Sequence, residues 1–160
     1  MRKNSFRLET VTPVLPYKLE IIYTDKTLIM VDLTSLIHSL EVFAPLEIAE
    51  EFTTATITDF GFTIEWACGA SLDSDRLFEI ALEQSGRVAN AHFRRWQDAN
   101  DLSLTQAAQA IGLTRRTISQ YRTGKRPVPR TVSLACKGWE VEQVKNVDAQ
   151  SDSSDYFLHL

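Results

Sequence analysis

The chain has 160 residues, 24% of them charged, and a formal net charge of −4. No run of eighteen apolar residues occurs, and no apolar segment follows the basic N-terminus, so the sequence predicts neither a membrane span nor a signal peptide. We therefore expect a cytoplasmic protein with no membrane partner, long enough for one core or two small ones.

Strand patterns dominate the first part of the chain. Residues 6–15 alternate weakly and predict an edge strand. Apolar and polar side chains then alternate clearly over residues 17–23, and a Thr-Asp-Lys turn leads into a second strand at 27–31, which predicts a hairpin. Residues 55–59 and 62–66 predict a second hairpin.

Two helices are predicted beside these strands. A short helix, capped by Asp32 and with Leu40 facing inward, precedes the second hairpin. A longer helix, capped by Asp73 or Ser74 and reaching about Gln84, carries its apolar side chains at helical spacing, so that they form one stripe. Helices that cover one face of a mostly antiparallel sheet make residues 1–86 a small α+β domain.

Two short sequences in this domain match a known pattern. Val31-Asp32-Leu33 follows a strand pair, and Ile64-Glu65-Trp66 lies in the second hairpin. With them, most of residues 10–80 resembles a family of small bacterial α+β domains of uncharacterised function. Members of that family are often encoded near toxin–antitoxin-like genes, and the resemblance implies no known chemistry.

Catalytic and metal-binding patterns are not found. The carboxylates of the first domain have no histidine or nucleophile at a useful spacing, and the three histidines have no ligand partner nearby in sequence. We therefore expect no enzyme activity, no cofactor and no metal. Cys68 and Cys136 fit no redox or zinc spacing and are predicted to be small buried side chains, and Trp66 is predicted to lie in the core.

The charge is divided unevenly along the chain. Residues 1–87 carry seven basic and fourteen acidic side chains, residues 88–138 carry nine and two, and residues 139–160 carry one and five. A basic block of this length is the pattern expected of a segment that neutralises nucleic-acid phosphates. The predicted domain boundary is Gln84-Ser85-Gly86, because the glycine ends a helix and the sign of the charge changes just afterwards.

The basic block begins with two predicted helices. Residues 88–99 place apolar side chains on one face. Ser103 and Gln106 then form a capping box, in which a hydroxyl and an amide satisfy the first N–H groups of a new helix. Gly112 is predicted to end that helix, because glycine tolerates the left-handed backbone of a C-terminal cap.

A third helix follows after a tight turn. Thr114 is predicted to cap a helix over residues 115–123, which Gly124 ends. Ile118 and Tyr121 lie three residues apart and are predicted to face inward.

The opposite face of this helix has no apolar group. Its outward side chains are predicted to be Arg116, Ser119, Gln120 and Thr123, with Arg115 and Arg122 on the flanks. Guanidinium and amide groups pair bidentately with guanine and adenine in the major groove of DNA. Lys125 and Arg126 follow in the loop, where they are placed to meet phosphate, so this pair of helices is interpreted as a helix-turn-helix.

These residues also resemble a known family. Seven positions match the phage-repressor/Cro-like helix-turn-helix domain: Ala108, Gly112, Thr114, Ile118, Ser119, Gly124 and Pro129. The resemblance covers about residues 93–139 and implies a five-helix bundle whose third helix reads DNA. It implies base contacts from Arg115, Arg116, Ser119 and Gln120, and phosphate contacts near Thr114 and Lys125.

Two positions depart from that family. Leu104 stands where the family usually has a phosphate-contacting glutamine, so one backbone contact is not expected here. Arg122 stands where a glutamate is common, and it is predicted to add positive charge in place of an internal ion pair.

The end of the chain changes character. Residues 130–137 predict a helix ended by Gly138, which would complete a DNA-binding domain over residues 87–141. Residues 142–160 are predicted to be an acidic, mobile tail, with the apolar Tyr156-Phe157-Leu158 able to dock on its own or a partner subunit.

These patterns favour one function over another. The leading hypothesis is a sequence-specific transcriptional regulator that binds double-stranded DNA as a homodimer, because one reading helix covers too few base pairs to be selective. The alternative is an antitoxin-type interaction protein, whose acidic N-terminal domain binds a protein partner and whose helix-turn-helix autoregulates.

Overall fold

The computed structural model describes the backbone of residues 6–158 and the side chains of residues 6–150. It divides into two compact units, Met1–Val88 and Ala89–Leu160, called here the N-terminal and C-terminal units. The N-terminal unit holds two small antiparallel sheets with helices, and the C-terminal unit is helical, so the α+β fold class predicted from sequence is confirmed.

The first sheet contains three antiparallel strands in the order β1 (Leu8–Val14), β2 (Lys18–Tyr23) and β3 (Leu28–Asp32). Leu19 lies opposite Val31 and Ile21 opposite Ile29. The alternating apolar residues of β2 are fully buried, as their period of two predicts. The predicted edge strand and first hairpin are therefore confirmed.

The second sheet has the order β4 (Thr56–Thr58), β5 (Thr63–Glu65) and β6 (Ser71–Asp73). The β4–β5 pair is the predicted second hairpin. The third strand was not predicted, because it lies outside any longer alternating run such as those that contain β4 and β5, and its last residue, Asp73, was assigned to the start of the next helix.

From residue 6 onwards, the N-terminal unit holds three α-helices: α1 (Thr34–Ser39), α2 (Ala49–Phe52) and α3 (Ser74–Gln84). A 3₁₀ segment, Glu41–Glu47, follows α1, and another, Asp59–Gly61, joins β4 to β5. Leu40 was expected to face inward but is 47% exposed, because α1 ends one residue before it.

Asp32 was predicted to cap α1, but Leu33 occupies the N-cap position and Asp32 lies one residue before it. Its carboxylate accepts hydrogen bonds from the backbone N–H of Thr34 at 2.9 Å and from the Thr34 hydroxyl at 2.6 Å. These two bonds favour the charged form and hold the pKa of Asp32 below its ordinary value.

The core of the N-terminal unit contains Trp66, as predicted. Its side chain is 2% exposed, and its indole N–H donates to the carbonyl of Phe52 at 3.1 Å. Cys68, two residues later, was predicted to be buried but is exposed, because it lies in the turn that joins β5 to β6. Cys136, in the C-terminal unit, is buried as predicted.

The C-terminal unit has four helices: α4 (Val88–Ala99), α5 (Leu104–Ile111), α6 (Arg115–Thr123) and α7 (Arg130–Leu158). Their apolar faces meet in one core, formed by Phe93, Trp96, Ala107, Ala108, Ile118, Tyr121, Val128, Val132 and Cys136. The first three helices match the sequence predictions.

The last helix differs from its prediction. Gly138 was expected to end it, but α7 continues through Gly138 to Leu158, so residues 142–158 of the predicted acidic tail belong to this helix. A Cβ added at Gly138 would meet nothing within 4 Å, so an ordinary helical residue would fit there. Residues 140–150 are exposed along the helix, and the side chains of Tyr156-Phe157-Leu158 lie outside those described.

No helix among the described residues is both long and apolar enough to cross a membrane. In the same part of the chain, no three His, Cys, Asp or Glu side chains come together as metal ligands would.

Candidate nucleic-acid interface

The turn before the candidate reading helix is built as the sequence predicts. The Ser103 hydroxyl accepts from the N–H of Gln106 at 3.1 Å, and the Gln106 side chain accepts from the N–H of Ser103 at 2.9 Å. This complete capping box begins α5. Gly112 ends it with φ +73°, a left-handed conformation that costs other residues about 1–2 kcal/mol.

The next helix, α6, also has the predicted limits. Thr114 accepts from the N–H of Thr117 at 3.2 Å, which satisfies one free donor at the helix start. Gly124 ends the helix in the left-handed conformation, with φ +77°. Ile118 and Tyr121 are buried in the core, so the inner face is the predicted one.

The outer face of α6 carries polar side chains that reach solvent. Arg115, Arg116 and Ser119 are exposed, while Gln120 and Thr123 are partly buried. The exposed Lys125 and Arg126 follow in the loop.

An open depression of about 430 Å³ brings together two residues predicted to meet bases and two predicted to meet phosphate. It is lined by Arg116, Thr117, Gln120, Lys125 and Arg126. Because three of these side chains are cations, the depression suits an anion.

Two predicted contact residues use their hydroxyls within the helix. Thr114 caps the start of α6, as described above, and its oxygen also lies 2.9 Å from that of Thr117. The Thr123 hydroxyl lies 3.1 Å from the carbonyl of Ser119 and 3.3 Å from that of Gln120. The Thr123 hydroxyl therefore donates its hydrogen within α6, whereas either hydroxyl of the Thr114–Thr117 pair can be the donor.

Arg122 is the main correction to the predicted surface. It was expected on the flank as added positive charge, yet its side chain is buried, with a residue exposure of 3%. Its guanidinium donates to Gln97 at 3.1 Å and to Asp98 at 3.0 Å. The internal ion pair that the sequence analysis excluded is therefore present, because α4 supplies the carboxylate.

A polar row on α4 was missed entirely. Asn90 is 1% exposed, and its side-chain amide donates to the carbonyls of Tyr121 at 2.8 Å and Arg126 at 2.7 Å. Its oxygen accepts from the N–H of Val128 at 3.2 Å. The Arg94 guanidinium donates to the carbonyl of Arg122 at 3.0 Å.

These contacts fix α6 at its C-terminal end. Asn90, Arg94 and Gln97 recur at helical spacing on α4, and all three contact the last turn of α6 or the loop after it. The spacing of three polar residues on one face was the available signal in the sequence. The row sets the backbone from which Lys125 and Arg126 project.

Comparisons with known proteins also identify a helix-turn-helix in this part of the chain. A family model described as a helix-turn-helix domain matches residues 91–144, which contain most of α4 and the whole of α5 and α6. No curated protein matches the chain.

One solved structure is similar over most of both chains. It is the crystal structure of the Putative DNA Binding Protein NE0471 from Nitrosomonas europaea ATCC 19718, with 34% sequence identity and a TM-score of 0.60. The similarity covers 84% of this chain and 86% of that one. The chain therefore belongs to the same family as that protein, and its C-terminal unit carries a helix-turn-helix domain.

Proposed function

We propose that the protein is a sequence-specific DNA-binding regulator of transcription, with α6 as its reading helix in the major groove. The observation that carries this proposal is the outer face of α6, where Arg116 and Gln120 line one open depression with Lys125 and Arg126. The inner face and both ends of the helix are fixed, so these side chains are presented from a rigid support.

The side chains divide into two roles. Arg115, Arg116, Ser119 and Gln120 contact base edges, since a guanidinium pairs with guanine and an amide with adenine. Thr114, Thr123, Lys125 and Arg126 contact the phosphate backbone, which sets affinity and orientation without reading sequence. Both threonine hydroxyls already make hydrogen bonds within α6, so these two residues contribute less than the cations.

Two comparisons support the proposal. The matched family model is a helix-turn-helix domain, and the related solved structure is described as that of a Putative DNA Binding Protein. The resemblance of residues 93–139 to the Cro-like domains favours the same docking geometry.

Selectivity requires more than one reading helix, because a single helix contacts only a few base pairs. The protein therefore acts as a homodimer on a roughly palindromic site with half-sites about 34 Å apart. The N-terminal unit is available for pairing or for a protein partner. Leu28 and Met30 leave apolar side chains exposed on β3, which supports such a role.

A salt titration tests the phosphate contacts. The affinity of the full chain for a labelled duplex of arbitrary sequence is measured by fluorescence anisotropy at increasing salt. We expect Lys125→Ala to weaken binding to all duplexes alike and to reduce the slope of log K against log salt by about 1, since one phosphate contact is lost.

The matched control is Lys18→Ala, which removes an exposed cation from β2 in the other unit. It should leave both affinity and slope unchanged. Absence of binding at low salt, or equal effects of the two substitutions, would contradict the proposal.

A further inference from the structure

A second concave site lies in the C-terminal unit, between α4 and α7. Its volume is about 530 Å³, which is within the range of small-molecule sites. None of the residues that line the depression on α6 takes part in it. The site is therefore separate from the surface proposed to read DNA.

The floor of this groove is apolar. Phe93, Trp96 and Cys136 line it and are 3–6% exposed. The rings of Phe93 and Trp96 pack on each other with centroids 5.5 Å apart, so the small part of the floor that remains exposed is largely aromatic. Burial raises the pKa of the Cys136 thiol to about 12, so this side chain stays neutral at physiological pH.

The rim of the groove is mostly basic. Arg130 and Lys137 lie on α7 two helical turns apart, which separates their backbones by about 10 Å, and His92 lies on α4. All three are exposed, and none forms an ion pair with the side chains of residues 6–150. Glu140 is the one carboxylate in the lining, and its oxygen lies 3.3 Å from the side-chain amide of Asn100.

An apolar floor with a cationic rim selects for one class of ligand. The floor contributes by removing apolar surface from water, and the cations stabilise an acid group at the mouth. We propose that this groove binds a small organic anion with a flat apolar body, such as an aromatic carboxylate. Binding here does not depend on the proposed DNA contacts.

The NMR signals of the three tryptophan indole N–H groups can report binding at this site. Trp96 lies in the floor, Trp139 contacts it with ring centroids 5.6 Å apart, and Trp66 lies in the N-terminal unit as an internal reference. The full chain, labelled with ¹⁵N, is titrated with 2-naphthoate and separately with its uncharged analogue 2-naphthylmethanol. Trp→Phe variants assign the three indole signals.

We expect 2-naphthoate to shift the Trp96 signal saturably and to leave that of Trp66 in place. The uncharged analogue should bind about tenfold more weakly, because it lacks the charge-assisted contact. Lys137→Ala should weaken 2-naphthoate by a similar factor and leave the analogue unaffected. Lys145→Ala, a matched change on the same helix outside the groove, should alter neither.

Steric filling gives an independent check. Ala99 lines the groove at the exposed end of α4, so Ala99→Phe should abolish the Trp96 shift without unfolding the unit. The proposal is overturned if both ligands bind equally, or if Lys137→Ala has no effect. It is also overturned if the Trp96 signal depends on protein concentration but not on 2-naphthoate, since a second copy of the chain would then cover the groove.

Discussion

Arginines on α6 show that residue type alone does not decide exposure. Arg116 is exposed and lines the open depression, whereas Arg122, on the same helix, is buried against α4. Helical geometry put Arg122 on the flank of the apolar face. Its side chain is held in the interior by hydrogen bonds to Gln97 and Asp98, which lie more than twenty residues earlier in the chain.

Because of this difference in burial, we expect substitution of Arg122 to lower the stability of the fold much more than substitution of Arg116. Arg122→Met removes a buried guanidinium and leaves the Gln97 oxygen without its donor, so we expect the free energy of unfolding to fall by about 2 kcal/mol. Asp98 is 32% exposed and can be rehydrated, which limits the loss. Arg116→Met, the matched surface change, should alter stability by less than about 0.5 kcal/mol.

Urea unfolding followed by tryptophan fluorescence measures both changes. Equal stabilities of the two variants would contradict the buried position of Arg122.

Features of single residues that depend on near neighbours in the sequence could be predicted. Contacts with residues far away in the sequence could not. The capping box at Ser103 and the left-handed glycines at 112 and 124 depend on neighbours within four residues, and all three are confirmed. Asn90 contacts backbone atoms 31–38 residues away. No local pattern contains that information, so its role emerged only from the fold.

At the scale of elements, the length of the sequence pattern decided what could be predicted. β2 and α4 are long enough to show a period, and their limits were close to those observed. β4 and β5 are short strands within the alternating runs 55–59 and 62–66, which revealed their hairpin, whereas β6 lies outside any such run and was missed. Gly138 was misinterpreted for another reason: glycine is compatible with a helix end but does not require one, and α7 continues through it.

Two glycines of the C-terminal unit test this distinction. Gly112→Ala forces alanine into a left-handed conformation and should destabilise the unit by about 1 kcal/mol. Gly138→Ala adds a methyl group in open space within a helix and should stabilise it by about 0.5–1 kcal/mol.

Thermal unfolding of the two variants beside the unaltered chain compares them. A loss of stability in Gly138→Ala would mean that α7 ends at that residue, contrary to the structure.

For the whole molecule, charge distribution was the most informative property of the sequence. The mean composition is acidic, but the basic block of residues 88–138 falls almost entirely within the C-terminal unit, which the helix-turn-helix family model matches in large part. The role of the N-terminal unit could not be predicted in the same way. Its residues build a core and two sheets, and its sequence pattern resembles a family without known chemistry.

Selection of bound sites from a pool of random DNA duplexes is the most direct test of the reading helix. The full chain, Arg116→Ala and Gln120→Ala are each used to enrich the pool, and the enriched sequences are compared. We expect the unaltered chain to enrich a roughly palindromic motif. Each variant should lose preference at one position per half-site and bind the original motif about 1–3 kcal/mol more weakly.

The contradictory result is equally clear. If no motif is enriched, or if both variants enrich the same motif as the unaltered chain, then the outer face of α6 does not read DNA sequence.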